Sequence, residues 1–146
     1  MTCDNYMKLS ILAQSRNESF ARSVVGAFCT QLNPTLEEID DIKTAVSEAV
    51  TNCIVHAYRG VKDGVIDVVC SFVDNTVTIE VTDYGRGIDN VEQAMQPFFT
   101  TVSTGERSGM GFTVMKAFCD TVEVVSNNSN QTTVKLSKTF PKEAQD

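Results

Sequence analysis

Met7 to Leu12 (Met-Lys-Leu-Ser-Ile-Leu) alternates apolar and polar side chains, the period of a strand with one buried face. Ser15 to Gln31 changes period: Phe20, Val24, Ala27, Phe28 and Gln31 recur at helical spacing, and Asn33-Pro34 ends the run. Thr35 followed by Glu38 is a capping box and opens a second helix. Its expected inner stripe is Leu36, Ile39, Ile42, Val46, Ala49, Val50 and Cys53, and it continues to about Tyr58, where Arg59-Gly60 turns. Val65 to Val73 and Thr76 to Thr82 are β-rich runs joined by Asp74-Asn75, two residues that tolerate the positive φ of a tight hairpin. A less regular stretch, Ile88 to Gly109, contains Pro97. Gly109 to Phe118 is a helix with Phe112, Met115 and Phe118 inward. Thr121 to Ser126 and Thr132 to Ser137 form a last hairpin across Asn127-Asn128-Ser129-Asn130.

The order is strand, helix, helix, hairpin, loop, helix, hairpin. It predicts an α+β fold, a two-layer sandwich with helices on one face of a mixed, mostly antiparallel sheet. The 146 residues are read as one domain over 1–140, with a frayed tail at 141–146.

Composition adds little beyond exclusions. The chain is 42% hydrophobic and 21% charged, as ordinary globular proteins are. No window approaches the roughly 18 apolar residues of a membrane span, and the first residues lack a signal peptide's basic start and apolar run. A cytoplasmic protein is expected. The net charge of −7 argues against a nucleic-acid surface and suits a partner with basic patches. Cys3, Cys29, Cys53, Cys70 and Cys119 are scattered, with no C-x-x-C pair, so neither a zinc site nor a disulfide framework is expected.

Candidate chemistry lies in three places. Glu48 and Asn52 stand four residues apart, on one face of an otherwise apolar helix. A carboxylate can act as a base toward a hydroxyl, and a carboxamide oxygen suits a hard cation such as Mg²⁺. Taken alone, the pair is better explained by a solvated helix edge. Asp83-Tyr84-Gly85-Arg86-Gly87 ends a strand. Its glycines allow the backbone to approach a ligand, and its Asp can accept a hydrogen bond from an exocyclic amine such as adenine's. In isolation it is a simple turn. Ser108-Gly109-Met110-Gly111 enters a helix, where exposed N–H groups and the helix dipole favour an anion. It lacks the G-K-[ST] of a P-loop and opens no βαβ unit.

In this order and spacing the three resemble the N box and two glycine boxes of the ATPase/kinase superfamily of gyrase, the heat-shock chaperone of the ninety class, sensor histidine kinases and MutL. The loop between the glycine boxes would be the ATP lid. Val46-Ser47-Glu48-Ala49-Val50-Thr51-Asn52, Pro97-Phe98-Phe99-Thr100-Thr101 and Glu106-Arg107-Ser108-Gly109-Met110-Gly111-Phe112-Thr113 are most similar to the bacterial anti-sigma factor serine kinases of the sporulation type. The likeness runs from about Met7 to Lys138.

The resemblance implies ATP or ADP with Mg²⁺ as ligands. It makes Glu48 the catalytic base toward a serine hydroxyl, Asn52 the metal ligand, and Asp83 the group that binds the adenine amine. Gly85 and Gly87 would shape the adenine pocket and lid hinge. Gly109 and Gly111, with Ser108 and Met110 between and beside them, would meet the phosphates. Arg107 would reach the γ-phosphate. Thr100 and Thr101 lie at the lid base. Thr132 matches a Thr that supports adenine binding, although Gln131 stands where the family often has Gly, and Asn130 is offered as the turn residue instead. Arg22 matches an exposed Arg at the partner surface, or else is an ordinary helix charge. His56, the single histidine, falls one turn beyond Asn52 where the family also carries His, which points to a supporting role rather than a phosphoacceptor. The implied partners are a sporulation sigma factor, an anti-anti-sigma substrate and a second copy of the chain. A related stress-response kinase, a catalytically silent nucleotide-dependent sigma-binding module and a detached histidine-kinase domain are the alternatives.

Overall fold

The computed structural model describes residues 2–59, 61, 63–85, 111–127 and 131–141. Among them β1 (Asn5–Leu12) is followed by α1 (Arg16–Cys29), a 3₁₀ turn at Thr30–Leu32, and α2 (Leu36–Asn52). A π-helical turn at Cys53–Ala57 continues α2. Then come β2 (Val65–Val73), β3 (Thr76–Asp83), α3 (Gly111–Phe118), β4 (Thr121–Asn127) and β5 (Gln131–Thr139). The five strands lie in the order β1-β2-β3-β5-β4. Every pairing is antiparallel, where the sequence led us to expect a mostly antiparallel sheet.

Strand alternation sets the two faces. Ile66, Val68 and Cys70 of β2, Val77, Ile79 and Val81 of β3, and Val134 and Leu136 of β5 are buried. Their neighbours on the other face are mostly Thr, Ser, Asp, Glu and Lys, so only one face recruits helices. Cross-strand hydroxyl pairs run along that polar face, Thr76 with Thr139 and Thr82 with Thr133, each at 2.8 Å. The β2–β3 hairpin turns on Asp74, whose φ is 51°; its N–H donates to Asp4 Oδ2 at 2.8 Å.

The helices fit as their sequences direct, with one rotation. The capping box holds: Glu38 N–H donates to Thr35 Oγ1 at 3.1 Å, and Thr35 N–H donates to Glu38 Oε1 at 2.8 Å. On α2 Ile42, Val46, Ala49, Val50 and Cys53 are buried as expected. Ile39 is only half-buried, and Leu36, in the first turn, is 82% exposed. On α1 the buried stripe is Ala21, Val25, Phe28 and Cys29. Phe20 and Ala27 face out and Val24 is half-buried, contrary to expectation. Both stripes have helical spacing, and α1 turns the one with Ala21 and Val25 toward α2, on which it packs. A Cβ added at Gly26 would come 3.1 Å from Lys43 Cδ.

α3 also packs on α2. Phe112 and Met115 are buried and Phe118 is half-buried, with Cys119 completing the inner side. Lys138 ties the layers: its Nζ donates to Phe118 O at 2.8 Å, at the carbonyl end of α3 where a cation is favoured, and lies 3.7 Å from Asp41 of α2. No described helix is long and apolar enough to cross a membrane.

Candidate nucleotide site

β3 ends at Asp83, paired with Ile66 of β2 on one side and Thr132 of β5 on the other. The C-terminal end of β3 and the N-terminal ends of β2 and β5 therefore share one rim of the sheet. The last turn of α3 meets Lys138 near the opposite end of β5. α2 reaches the same rim with its C-terminal turns, through contacts of Cys53 and Ala57 with Asp83 and Gly85. The fold thus brings the end of α2, which carries Glu48 and Asn52, to Asp83, Gly85 and Thr132; Gly111 opens α3.

Asp83 is 5% exposed. Gly85 N–H donates to its Oδ1 at 3.2 Å, and the Cys53 thiol also donates to it. Burial pushes its carboxyl up to about 6, and the two donors restrain the rise. At neutral pH the group is an ionised acceptor kept in a largely apolar surround. Thr132, 4% exposed, sits directly across the ladder, its Oγ1 2.9 Å from Ser126 Oγ. The sequence had linked these two residues only through a family resemblance; the register makes them neighbours.

Gly85 is there because nothing larger fits. A Cβ at this position would lie 2.3 Å from Ala57 O and 2.8 Å from Ala57 C. That carbonyl belongs to the π-helical turn, which inserts one extra residue into the end of α2 and carries the chain around under β3. His56 lies in this turn, half-buried.

Glu48 and Asn52 are both half-buried on the last turns of α2. Asn52 Nδ2 is a buried atom with no hydrogen-bond partner among the described residues. Leaving a buried amide unpaired costs about 1–3 kcal/mol, which is expected of a group shaped for a ligand. Rotating the amide by 180° presents its carbonyl oxygen in the same place. The site therefore fits a phosphate-bound hard cation contacted by one neutral protein oxygen.

Two residues of the site were missed in the sequence. Tyr58, 7% exposed, donates its hydroxyl to Val65 O at 2.7 Å and accepts from Tyr84 N–H at 2.6 Å. Cys53, read there as core, also bonds Asp83. An aromatic hydroxyl at a helix end, just before Arg59-Gly60, was the available signal for Tyr58. Arg22 lies 3.7 Å from Glu18 Oε1, which also accepts from Ser47 Oγ at 2.6 Å. It is thus joined to α2 one residue before Glu48, though its side chain is 38% exposed. Gly87, Thr100, Thr101, Arg107, Ser108, Gly109 and Met110 lie outside the described residues, as do Arg86, Asn130 and the tail from 142.

Residues 11–138 match the histidine kinase-like ATPase domain family. An anti-sigma F factor of Caldanaerobacter subterraneus subsp. tengcongensis is 57% identical over 94% of this chain and 96% of its own length. One from Clostridium acetobutylicum is 51% identical over 94% and 95%. Among solved structures, the RsbU and RsbW domains of a Mycobacterium tuberculosis protein superpose with a TM-score of 0.70 at 19% identity, covering 97% of this chain and 34% of that one. The catalytic domain of the histidine kinase ThkA superposes at 0.59 with 15% identity, over 93% and 96%. Both likenesses bear on the fold alone.

Proposed function

Because the chain belongs to the histidine kinase-like ATPase domain family and, within it, to the anti-sigma F factors, we propose that it is an ATP-dependent protein serine kinase and anti-sigma factor. It acts as a cytoplasmic homodimer of single domains spanning 1–140. With ATP bound it holds a sporulation sigma factor. An anti-anti-sigma protein competes for that surface, is phosphorylated on a serine and releases sigma, so that nucleotide state and relative affinity set the partner.

The observation that carries this reading is the meeting of a buried Asp83, its cross-strand Thr132 and the Asn52 amide at one rim. Asp83 accepts the exocyclic amine of adenine, with Thr132 beside it and Gly85 and Gly87 shaping the pocket. Gly109, Met110 and Gly111, with Ser108 preceding them, supply backbone N–H groups to the phosphates where the chain enters α3. Asn52 would hold Mg²⁺ on those phosphates; the ion when bound neutralises charge on the transferring group. Glu48, one helical turn away, accepts the proton of the serine hydroxyl. Arg107 donates to the γ-phosphate oxygens, with Thr100 and Thr101 at the base of the lid. Arg22, held by Glu18, belongs to the partner surface.

The test is incubation with γ-labelled ATP, a sporulation sigma factor and its antagonist. Label is expected on a serine of the antagonist, and sigma is expected to co-purify with the ATP-loaded protein. Label on His56, or no transfer with ATP demonstrably bound, would overturn the kinase assignment. Absence of any sigma complex would overturn the anti-sigma assignment.

A further inference from the structure

The last residue of β3 and the two that follow are each gripped by the segment that ends α2. Asp83 receives the thiol of Cys53. Tyr84 N–H donates to the hydroxyl of Tyr58 at 2.6 Å. Gly85 lies against the carbonyl of Ala57, with no room for a Cβ. The gripping segment is itself closed, because Tyr58 N–H donates to Cys53 O at 3.0 Å. It is also anchored to the sheet, because the Tyr58 hydroxyl donates to Val65 O at 2.7 Å. The ring fits against Gly64, where an added Cβ would come within 2.4 Å of Cδ1. Tyr84 is restrained a second time by its own hydroxyl, which donates to Asp67 Oδ2 at 2.6 Å.

An ordinary α-helical ending would not deliver Cys53, Ala57 and Tyr58 to three consecutive residues of another element. The five-residue span from Cys53 to Tyr58 matches the i→i+5 bond of the π turn. Asn52 immediately precedes this turn, so the amide at the phosphate end and the Cys53 thiol that bonds Asp83 hang from one continuous piece of backbone.

From this we propose that the π turn, locked by the Tyr58 hydroxyl, is the positioning device for base recognition, and that Tyr58 and Cys53 set how sharply Asp83 distinguishes adenine from other bases. Neither touches the nucleotide; both act through Asp83 and the backbone of residues 84 and 85. This rests on the reading of Asp83 as the acceptor of the adenine amine.

The test compares ADP with inosine diphosphate, which carries a carbonyl where adenine carries the amine. Affinities are measured by calorimetry for the full chain, Tyr58→Phe, Cys53→Ala and Thr35→Ala. The last removes a helix cap remote from the site and controls for stability loss. Wild type is expected to favour ADP at least tenfold. Tyr58→Phe and Cys53→Ala are each expected to narrow that preference threefold or more. Thr35→Ala is expected to lower the melting temperature and leave the preference unchanged. Equal affinity of wild type for the two nucleotides would refute the reading of Asp83 itself. A tenfold wild-type preference that survives in Tyr58→Phe and Cys53→Ala would overturn the inference alone. Should Tyr58→Phe not fold, Cys53→Ala decides.

Discussion

Replacing Asp83 by Asn should make the nucleotide-free protein more stable while removing its ability to bind ATP. The carboxyl of Asp83 rises from 3.8 to about 6 on folding, chiefly because it is buried. Between these values the folded state binds more protons than the unfolded one. Its contribution to stability is therefore fully present below pH 3.8 and is lost as the pH rises through 6. The loss reaches about 3 kcal/mol at pH 7 and roughly half of that at pH 5. Asn removes the ionisation but leaves one amide N–H₂ facing donors, offsetting about 1–2 kcal/mol. The net expectation at pH 7 is a gain of about 1–2 kcal/mol, or about 3–6 °C in melting temperature for a chain of this length. Denaturant melts of both proteins from pH 4 to pH 8 would measure it. The difference between them should grow with pH up to about 7 and then level off. Calorimetry with ATP should show at least a hundredfold loss of affinity in the variant. A variant less stable than wild type at pH 7, with a gap independent of pH, would refute the electrostatic reasoning. Retained ATP affinity would refute the assignment of the base site.

Asn52→Ala should weaken Mg-ATP binding about tenfold, while ATP measured with a chelator changes little. Equal losses in both conditions would contradict a metal role. Gly85→Ala drives a methyl into the Ala57 carbonyl at 2.3 Å, so nucleotide binding should be abolished and stability should fall by about 2–4 kcal/mol, read by thermal melting. Thr35→Ala removes the hydroxyl that accepts from Glu38 N–H and should cost about 1 kcal/mol without altering nucleotide affinity.

Strands were legible from composition: residues 65–73 are so rich in β-branched and aromatic side chains that β2 has the expected bounds. The cap of α2 was legible because Thr35 and Glu38 act locally. The inward face of α1 was not. Two apolar stripes that share Phe28 lie on its surface, and only contact with α2 chooses Ala21, Val25 and Cys29 over Phe20, Val24 and Ala27. The π turn was invisible for a related reason. Its sequence, Cys-Ile-Val-His-Ala, continues an apolar helical pattern, and the extra residue becomes worthwhile only with Asp83 and Gly85 to receive it. Consequently the polar positions of the site could be named from the chain, but not the device that aligns them. Tyr58 and the thiol of Cys53 gain meaning only from strand register.

If the Glu48–Asn52 pair divides base and metal duties over a bound ATP, the Glu48 carboxylate is needed for transfer and not for nucleotide binding. Single-turnover transfer from labelled ATP to the antagonist's serine, in wild type and Glu48→Gln, tests it most directly. ATP affinity should agree within twofold between the two, and transfer in the variant should fall by about 10²–10⁴. Transfer at the wild-type rate by Glu48→Gln, with ATP equally bound, would contradict the account.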